Sequence, residues 1–165
     1  MTRSKPISRR RMLGTLGVLG AAGVTGTLTA SVPRRANAQQ VGLQETVQDA
    51  LKRVFGSRPM KDGASIIKLD VPLIAENGAV VPVSVEVASP MVANNYIRHV
   101  YIVADKNRIP VIARATLAPE AGQASVGVFV RLGESGDVRA IVEQSDGTLL
   151  QIKREVKVTV GGCGG

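Results

Sequence analysis

Hydrophobic and polar residues alternate along most of the chain after residue 65, with the period of two that half-buried β-strands show. Turn-forming pairs such as Asn77-Gly78 and Asp146-Gly147 separate the alternating runs. The pattern predicts seven short strands, at residues 67–73, 81–87, 100–104, 111–117, 126–132, 138–142 and 150–160. We therefore expect an all-β fold, an antiparallel immunoglobulin-like β-sandwich of about seven strands, with a closed barrel as the alternative.

Residues 39–64 have a different spacing. Their apolar positions follow the i, i+3, i+4, i+7 pattern of one helical face, at Val47, Ala50, Leu51 and Val54. Gln44 or Thr46 can begin this helix, and Gly56 can end it because glycine is the usual residue just past a helix. One short helix and a linker thus occupy residues 39–64, and the sandwich occupies residues 65–160.

Several predicted strands carry apolar residues on both faces. Ile66, Val80 and Phe129 each stand beside residues of the inward-facing set. The outer face of a free sandwich is normally wet, so these residues favour a covering partner. Scattered exposed apolar residues are also ordinary in proteins, and both interpretations stay open here.

Basic residues are concentrated at the start of the chain. The sequence holds 21 Lys and Arg against 13 Asp and Glu, a net charge of +8. Residues 1–38 contain seven of the basic residues and none of the acidic ones, so the remainder, with 14 basic and 13 acidic residues, carries +1. A nucleic-acid partner therefore lacks an electrostatic basis, and the four aromatic residues make no base-stacking platform.

The first 38 residues read as a leader. Arg9-Arg10 precede an apolar stretch at residues 13–32, and Ala36-Asn37-Ala38 form an A-x-A cleavage site. The arginine pair fits the twin-arginine export signal. Residues 1–38 are thus predicted to be a cleaved twin-arginine signal peptide, which places the mature protein in the periplasm with no membrane span. An uncleaved membrane anchor is the alternative.

Few side chains suit catalysis. One cysteine and one histidine cannot form a tetrahedral zinc site, a cysteine-pair redox motif or a blue-copper site. His99 could serve as a general base or a ligand, but a structural or surface histidine is the favoured interpretation. A basic cluster near the helix end is interpreted as a solvated face; it contains Lys52, Arg53, Arg58 and Lys61. We expect no metal and no cofactor.

The last five residues are Gly-Gly-Cys-Gly-Gly, which we call the C-terminal arm (residues 161–165). Glycine has no Cβ and wide backbone freedom, so the arm is predicted to be flexible and thin enough to enter a narrow channel. No base stands near Cys163 in the sequence, which favours a carrier over an enzyme. The alternatives are an inert buried cysteine and an interaction module whose terminal cysteine forms an intermolecular disulfide.

The leader, the small all-β domain and the terminal Gly161-Gly162-Cys163-Gly164-Gly165 together resemble the SoxY family, the sulfur carriers of the periplasmic thiosulfate-oxidising system. The resemblance implies that Cys163 holds the substrate covalently and that Gly161, Gly162, Gly164 and Gly165 give the arm its freedom. It also implies a heterodimer with a SoxZ-like β-sandwich subunit. A c-type cytochrome enzyme would join thiosulfate to the thiol, a hydrolase would release sulfate, and a sulfane dehydrogenase, where present, would oxidise the remaining sulfur.

Overall fold

The computed structural model describes residues 44–161. Within this range the chain forms one α-helix and nine strands: α1 (Val47–Phe55), β1 (Met60–Asp62), β2 (Ile67–Asp70), β3 (Ile74–Asn77), β4 (Val81–Val87), β5 (Ile97–Ala104), β6 (Val111–Thr116), β7 (Ala124–Val130), β8 (Gly136–Gln144) and β9 (Leu149–Val160). No helix in the described part of the chain is long and apolar enough to cross a bilayer.

The strands form the predicted sandwich. A six-stranded sheet has the order β1-β9-β8-β5-β6, with β3 also paired to β9, and a three-stranded sheet has the order β2-β4-β7. The core lies between them because every second residue of each strand points inward: Val83 and Val85 of β4 and Val100, Ile102 and Val142 of the larger sheet are buried. The predicted all-β, immunoglobulin-like fold is confirmed.

Strands β1 and β3 were not predicted from the pattern. β1 lies in what the sequence suggested was linker, and β3 includes Asn77, which was interpreted as part of a turn. Both are short, and both pair in parallel with β9, at Met60 opposite Leu149 and at Ile74 opposite Lys157. The predicted first strand is also shorter than expected, since β2 ends at Asp70 before Pro72.

Helix α1 begins and ends as its sequence predicts. The Thr46 hydroxyl oxygen accepts a hydrogen bond from the Asp49 N–H at 3.2 Å, which caps the first turn. Gly56 has a φ of 66° and donates its N–H to the Lys52 carbonyl at 2.8 Å. Phe55, the last residue of the helix, is buried against the sheet.

The helix covers the outer face of the larger sheet. The Phe55 and Tyr101 rings meet edge to face, with their centroids 4.8 Å apart, and Val103, Ile141 and Leu149 complete this second apolar cluster. The apolar residues on the outer faces of β5 and β8 are therefore covered by the chain itself. Phe129 and Val80, in contrast, are 72% and 61% exposed.

Candidate functional site

The predicted attachment residue Cys163 and its neighbours Gly162, Gly164 and Gly165 lie outside the described residues, as does the predicted leader. Gly161 is the last described residue and follows β9 directly. The structure therefore describes the base of the C-terminal arm.

One side of the end of β9 is held by β3. Asn77 stands opposite Val160 in this parallel pair. The Thr159 hydroxyl reinforces the pairing, because it lies 3.2 Å from the carbonyl oxygen of Ala75 and 3.0 Å from that of Glu76. The last strand is thus fixed laterally as far as its final residue.

The other side is held by residues 131–135, which we call the arm-base loop. β8 pairs with β9 only as far as Gly136 opposite Val156, and the arm-base loop replaces β8 beyond that point. The Val158 N–H donates to the Ser135 hydroxyl at 2.8 Å. Near its end β9 is therefore contacted on both sides, by β3 and by the arm-base loop.

Gly78 links the arm-base loop to the last strand residue. The Leu132 N–H donates to the Gly78 carbonyl at 2.7 Å, and the Gly78 N–H donates to the Val160 carbonyl at 2.7 Å. Leu132 is itself buried in the core. Through these two bonds the end of β9 is tied to a loop that the core anchors.

Gly161 packs directly against the arm-base loop. A Cβ placed on Gly161 would collide with the carbonyl oxygen of Gly133. That atom belongs to the backbone, so the collision could be relieved only by moving the loop or the chain end. Glycine is required at this position for a close approach of two backbones, in addition to any freedom it gives the arm.

Asn107 supports the arm-base loop from beneath. It lies in the turn after β5 and is only 5% exposed. Its Nδ2 donates to the Arg131 carbonyl at 2.7 Å, and its Oδ1 accepts from the Gly133 N–H at 3.0 Å. One buried carboxamide therefore satisfies a carbonyl and an N–H of the same loop.

The turn that carries Asn107 is stabilised by a charged pair. Arg139 of β8 donates two hydrogen bonds to the Asp105 carboxylate, at 2.7 and 2.6 Å, and both side chains are largely shielded from solvent. The hydrogen bond to this carboxylate raises the pKa of Arg139, so the guanidinium stays charged. A polar groove of about 870 Å³ opens beside this turn and reaches Gly133.

His99 is placed elsewhere, on β5. Its Nδ1 lies 3.1 Å from the Thr116 hydroxyl, and the Arg114 guanidinium lies 3.0 Å from its Nε2. Burial, together with the positive charge of Arg114, lowers the pKa of His99. Among residues 44–161 no carboxylate is hydrogen-bonded to the ring, so these residues do not assemble a Ser-His-Asp arrangement around it.

The predicted basic cluster is partly neutralised. Arg53 forms a bidentate pair with Glu45 at 2.7 Å, and Arg58 contacts the largely buried Glu143 at 2.8 Å. These two arginines therefore stabilise the fold around the helix instead of forming an open cationic face. Over residues 44–161, no group of three or more potential ligands is arranged to hold a metal ion.

The fold and the sequence beyond it define a class: small immunoglobulin-like proteins whose last strand runs into a cysteine flanked by glycines. Comparison with protein families then gives the particular one. The model of the family described as sulfur oxidation protein SoxY matches residues 51–163. The chain belongs to the SoxY family, and the match extends to Cys163.

Solved structures agree with this assignment. The sulfur carrier protein SoxY from Chlorobium limicola f thiosulfatophilum is 30% identical, with a TM-score of 0.58, over 70% of this chain and 97% of that one. The superoxide reductase (neelaredoxin) from Ignicoccus hospitalis, at 22% identity and a TM-score of 0.50, covers 56% of this chain and 80% of its own. The second likeness shows the fold alone. No curated protein matches the chain.

Sequence reasoning named the arm but missed the residues that hold its base. Asn107, Ser135 and Gly78 act through contacts with residues that are distant in sequence. Asn107 follows Asp105 and Lys106 in a stretch that is typical of a turn. The sequence therefore gives no sign that its side chain supports the arm-base loop. The neighbouring glycines of the arm suggested freedom of movement, and they gave no sign of the close contact at Gly161.

Proposed function

We propose that this protein is a covalent sulfur carrier in thiosulfate oxidation, with Cys163 as the attachment point. Joining thiosulfate to the thiol forms a sulfur–sulfur bond, releases the thiol proton and removes two electrons, which a c-type cytochrome enzyme accepts. Water then releases the terminal sulfur as sulfate in a second enzyme, and the other sulfur stays on the cysteine. A sulfane dehydrogenase, where present, oxidises that sulfur.

The observation that carries the proposal is the extent of the family match, which ends at Cys163 itself. The chemistry of the arm supports it. Two glycines on each side leave the thiol without bulky neighbours, and five extended residues reach at most about 17 Å. A thiol on such a tether suits the active sites of other proteins better than a site within its own domain.

The one histidine of the sequence is not set up as a base for the arm. The ring nitrogens of His99, on β5, are engaged by Thr116 and Arg114. A nucleophilic enzyme would place a base within hydrogen-bond reach of its thiol. We therefore assign activation of Cys163 to the partner enzymes and give the protein no catalytic activity of its own.

We further propose that the working form is a periplasmic heterodimer with a SoxZ-like β-sandwich subunit, reached through the twin-arginine pathway. The exposed Phe129 and Val80 support a covering partner. Two measurements test these points. The protein purified from the periplasm should have the mass of a chain that begins at Gln39, and it should co-elute with a second small subunit.

The decisive experiment combines intact mass with turnover. Protein isolated from cells that oxidise thiosulfate should carry added sulfur on Cys163 that a reductant removes. Cys163→Ala should abolish thiosulfate oxidation in a reconstituted system and leave the melting temperature unchanged. If the variant altered only the oligomeric state and oxidation continued, the tail would be a crosslinking element and the carrier proposal would be wrong.

A further inference from the structure

We propose that Asn107 is a positioning residue for the C-terminal arm. Its buried carboxamide fixes the arm-base loop, and the loop fixes the point and direction from which the arm leaves the domain. This inference rests on the proposed carrier function for its purpose, but its geometry involves described residues only.

Burial singles out Asn107. In the described range, Asn107 and Glu143 are the buried polar or charged side chains. Arg58 accounts for Glu143, since the two form an ion pair. Asn107 has no charged partner, and both ends of its carboxamide contact the arm-base loop. Burying a carboxamide is unfavourable unless its hydrogen bonds are made, so this side chain fits one loop position only.

The turn beneath Asn107 is rigid enough to act as a support. The Asn107 N–H donates to the Ala104 carbonyl at 3.2 Å, and the Asp105 N–H donates to the Asp137 carbonyl at 3.0 Å. The bidentate pair between Asp105 and Arg139 locks the same turn to β8. Asn107 therefore fixes the arm-base loop relative to the central strands β5 and β8.

Two contacts connect the arm-base loop to the start of the arm. The first is the pair of hydrogen bonds through Gly78, which joins Leu132 to Val160. The second is the approach of the Gly133 carbonyl to Gly161, which leaves no room for a Cβ. The N–H of Gly133 is bonded to Asn107. A single residue of the loop therefore touches Asn107 on one side and the first residue of the arm on the other.

Fixing the base has a clear use for a tethered thiol. The starting point and the length of a tether determine which region the thiol can reach. When the starting point of a short tether moves, the effective concentration of the thiol at its target falls. If Asn107 holds the origin, its loss should leave the thiol reactive but spread the positions that it samples. That outcome separates positioning from a simple contribution to stability.

The test uses full-length protein with nitroxide labels on Cys163 and on a cysteine introduced at Ser125, an exposed position on β7. Pulsed electron resonance then gives the distribution of distances between the labels. Asn107→Ala should broaden and shift this distribution, while the rate at which unlabelled Cys163 reacts with a small disulfide reagent stays the same. Should this variant fail to fold, Asn107→Ser is measured instead, with the same expectation.

Ile141→Ala is the matched control, because Ile141 is fully buried beneath the helix and does not contact the arm-base loop. It should lower the melting temperature without changing the distance distribution. An unchanged distribution in Asn107→Ala, or equal broadening in Ile141→Ala, would overturn the proposal. The labels report without cargo or partner enzymes, so this result is independent of whether Cys163 carries sulfur.

Discussion

The Arg114 guanidinium lies against the imidazole of His99 across strands β5 and β6, with its Nη2 3.0 Å from Nε2 and 3.5 Å from Nδ1. The Thr116 hydroxyl, also on β6, lies 3.1 Å from Nδ1. Because a guanidinium is a cation with donors only, a proton added to the ring would create a second positive charge beside it.

The stability of the protein should therefore fall as the pH drops through the histidine range. Burial lowers the pKa of His99 below its ordinary value of 6.5, and Arg114 lowers it further, outweighing the opposite influence of Glu143. The unfolded chain then binds a proton more readily than the folded one, so stability present above about pH 6.5 is lost as the pH falls toward the lower, folded-state pKa.

Urea titrations between pH 8 and pH 5 check this prediction. The wild-type midpoint should decline below pH 6.5, and His99→Gln, which cannot titrate, should show a flatter profile. Identical profiles for the two proteins would show that the decline comes from other groups. Arg98 also lowers the pKa of His99. Arg98→Gln should therefore raise that pKa and make the decline in stability with falling pH shallower, but by less than His99→Gln does.

The ion pair between Arg58 and Glu143 gives a second prediction. Glu143 is 8% exposed, whereas the Arg58 side chain is 42% exposed, so removing the arginine strands a shielded carboxylate. Arg58→Ala should cost about 1–3 kcal/mol of the free energy of unfolding in urea. Adding Glu143→Gln to Arg58→Ala should recover part of that loss, because the carboxylate is then neutral. A double variant less stable than Arg58→Ala would contradict this explanation.

The pattern of alternation predicted strands well where one face meets the core and the other meets water. β4 is the clearest case, since Val81, Val83, Val85 and Val87 are all buried. The pattern fails for β1 and β3, which have three and four residues and pair with the long strand β9. A segment this short has too few alternating positions to be recognised from the sequence. It becomes a strand because it pairs with β9.

Apolar residues on both faces of a strand had two different causes. On β5 the second face packs under helix α1, where Tyr101 meets Phe55. On β7 the outward Phe129 has no such cover from the described chain and is 72% exposed. The sequence shows the same signal in both places, and only the packing of the helix distinguishes them.

Phe129 should therefore matter for association and little for folding. Phe129→Ser is expected to change the free energy of unfolding by no more than about 0.5 kcal/mol, as is usual for exposed positions. The same variant should lower the amount of the SoxZ-like subunit that co-purifies with the protein. Glu86→Gln, at an exposed position of the same sheet, is the control and should leave co-purification intact. Undiminished co-purification of Phe129→Ser would place the interface elsewhere.

The glycines of the arm should differ in what they do. Gly162→Val and Gly164→Val add bulk and restrict the backbone beside Cys163, so we expect impaired turnover in a reconstituted system with no fall in melting temperature. Steady-state rates and thermal denaturation of the same preparations measure both quantities. A parallel loss of stability and turnover would contradict the idea that these residues act only through slimness and freedom.

Gly161 should behave otherwise, because its lack of a side chain allows contact with Gly133. A Cβ there collides with backbone, and overpacking of this kind costs about 1–3 kcal/mol. Gly161→Ala should therefore lower the urea midpoint and speed hydrogen exchange at the Leu132 and Gly133 amides. Gly127→Ala is the matched control, since open space surrounds that glycine. If both variants were equally stable, Gly161 would belong with the arm's other glycines, and the base would begin at Val160.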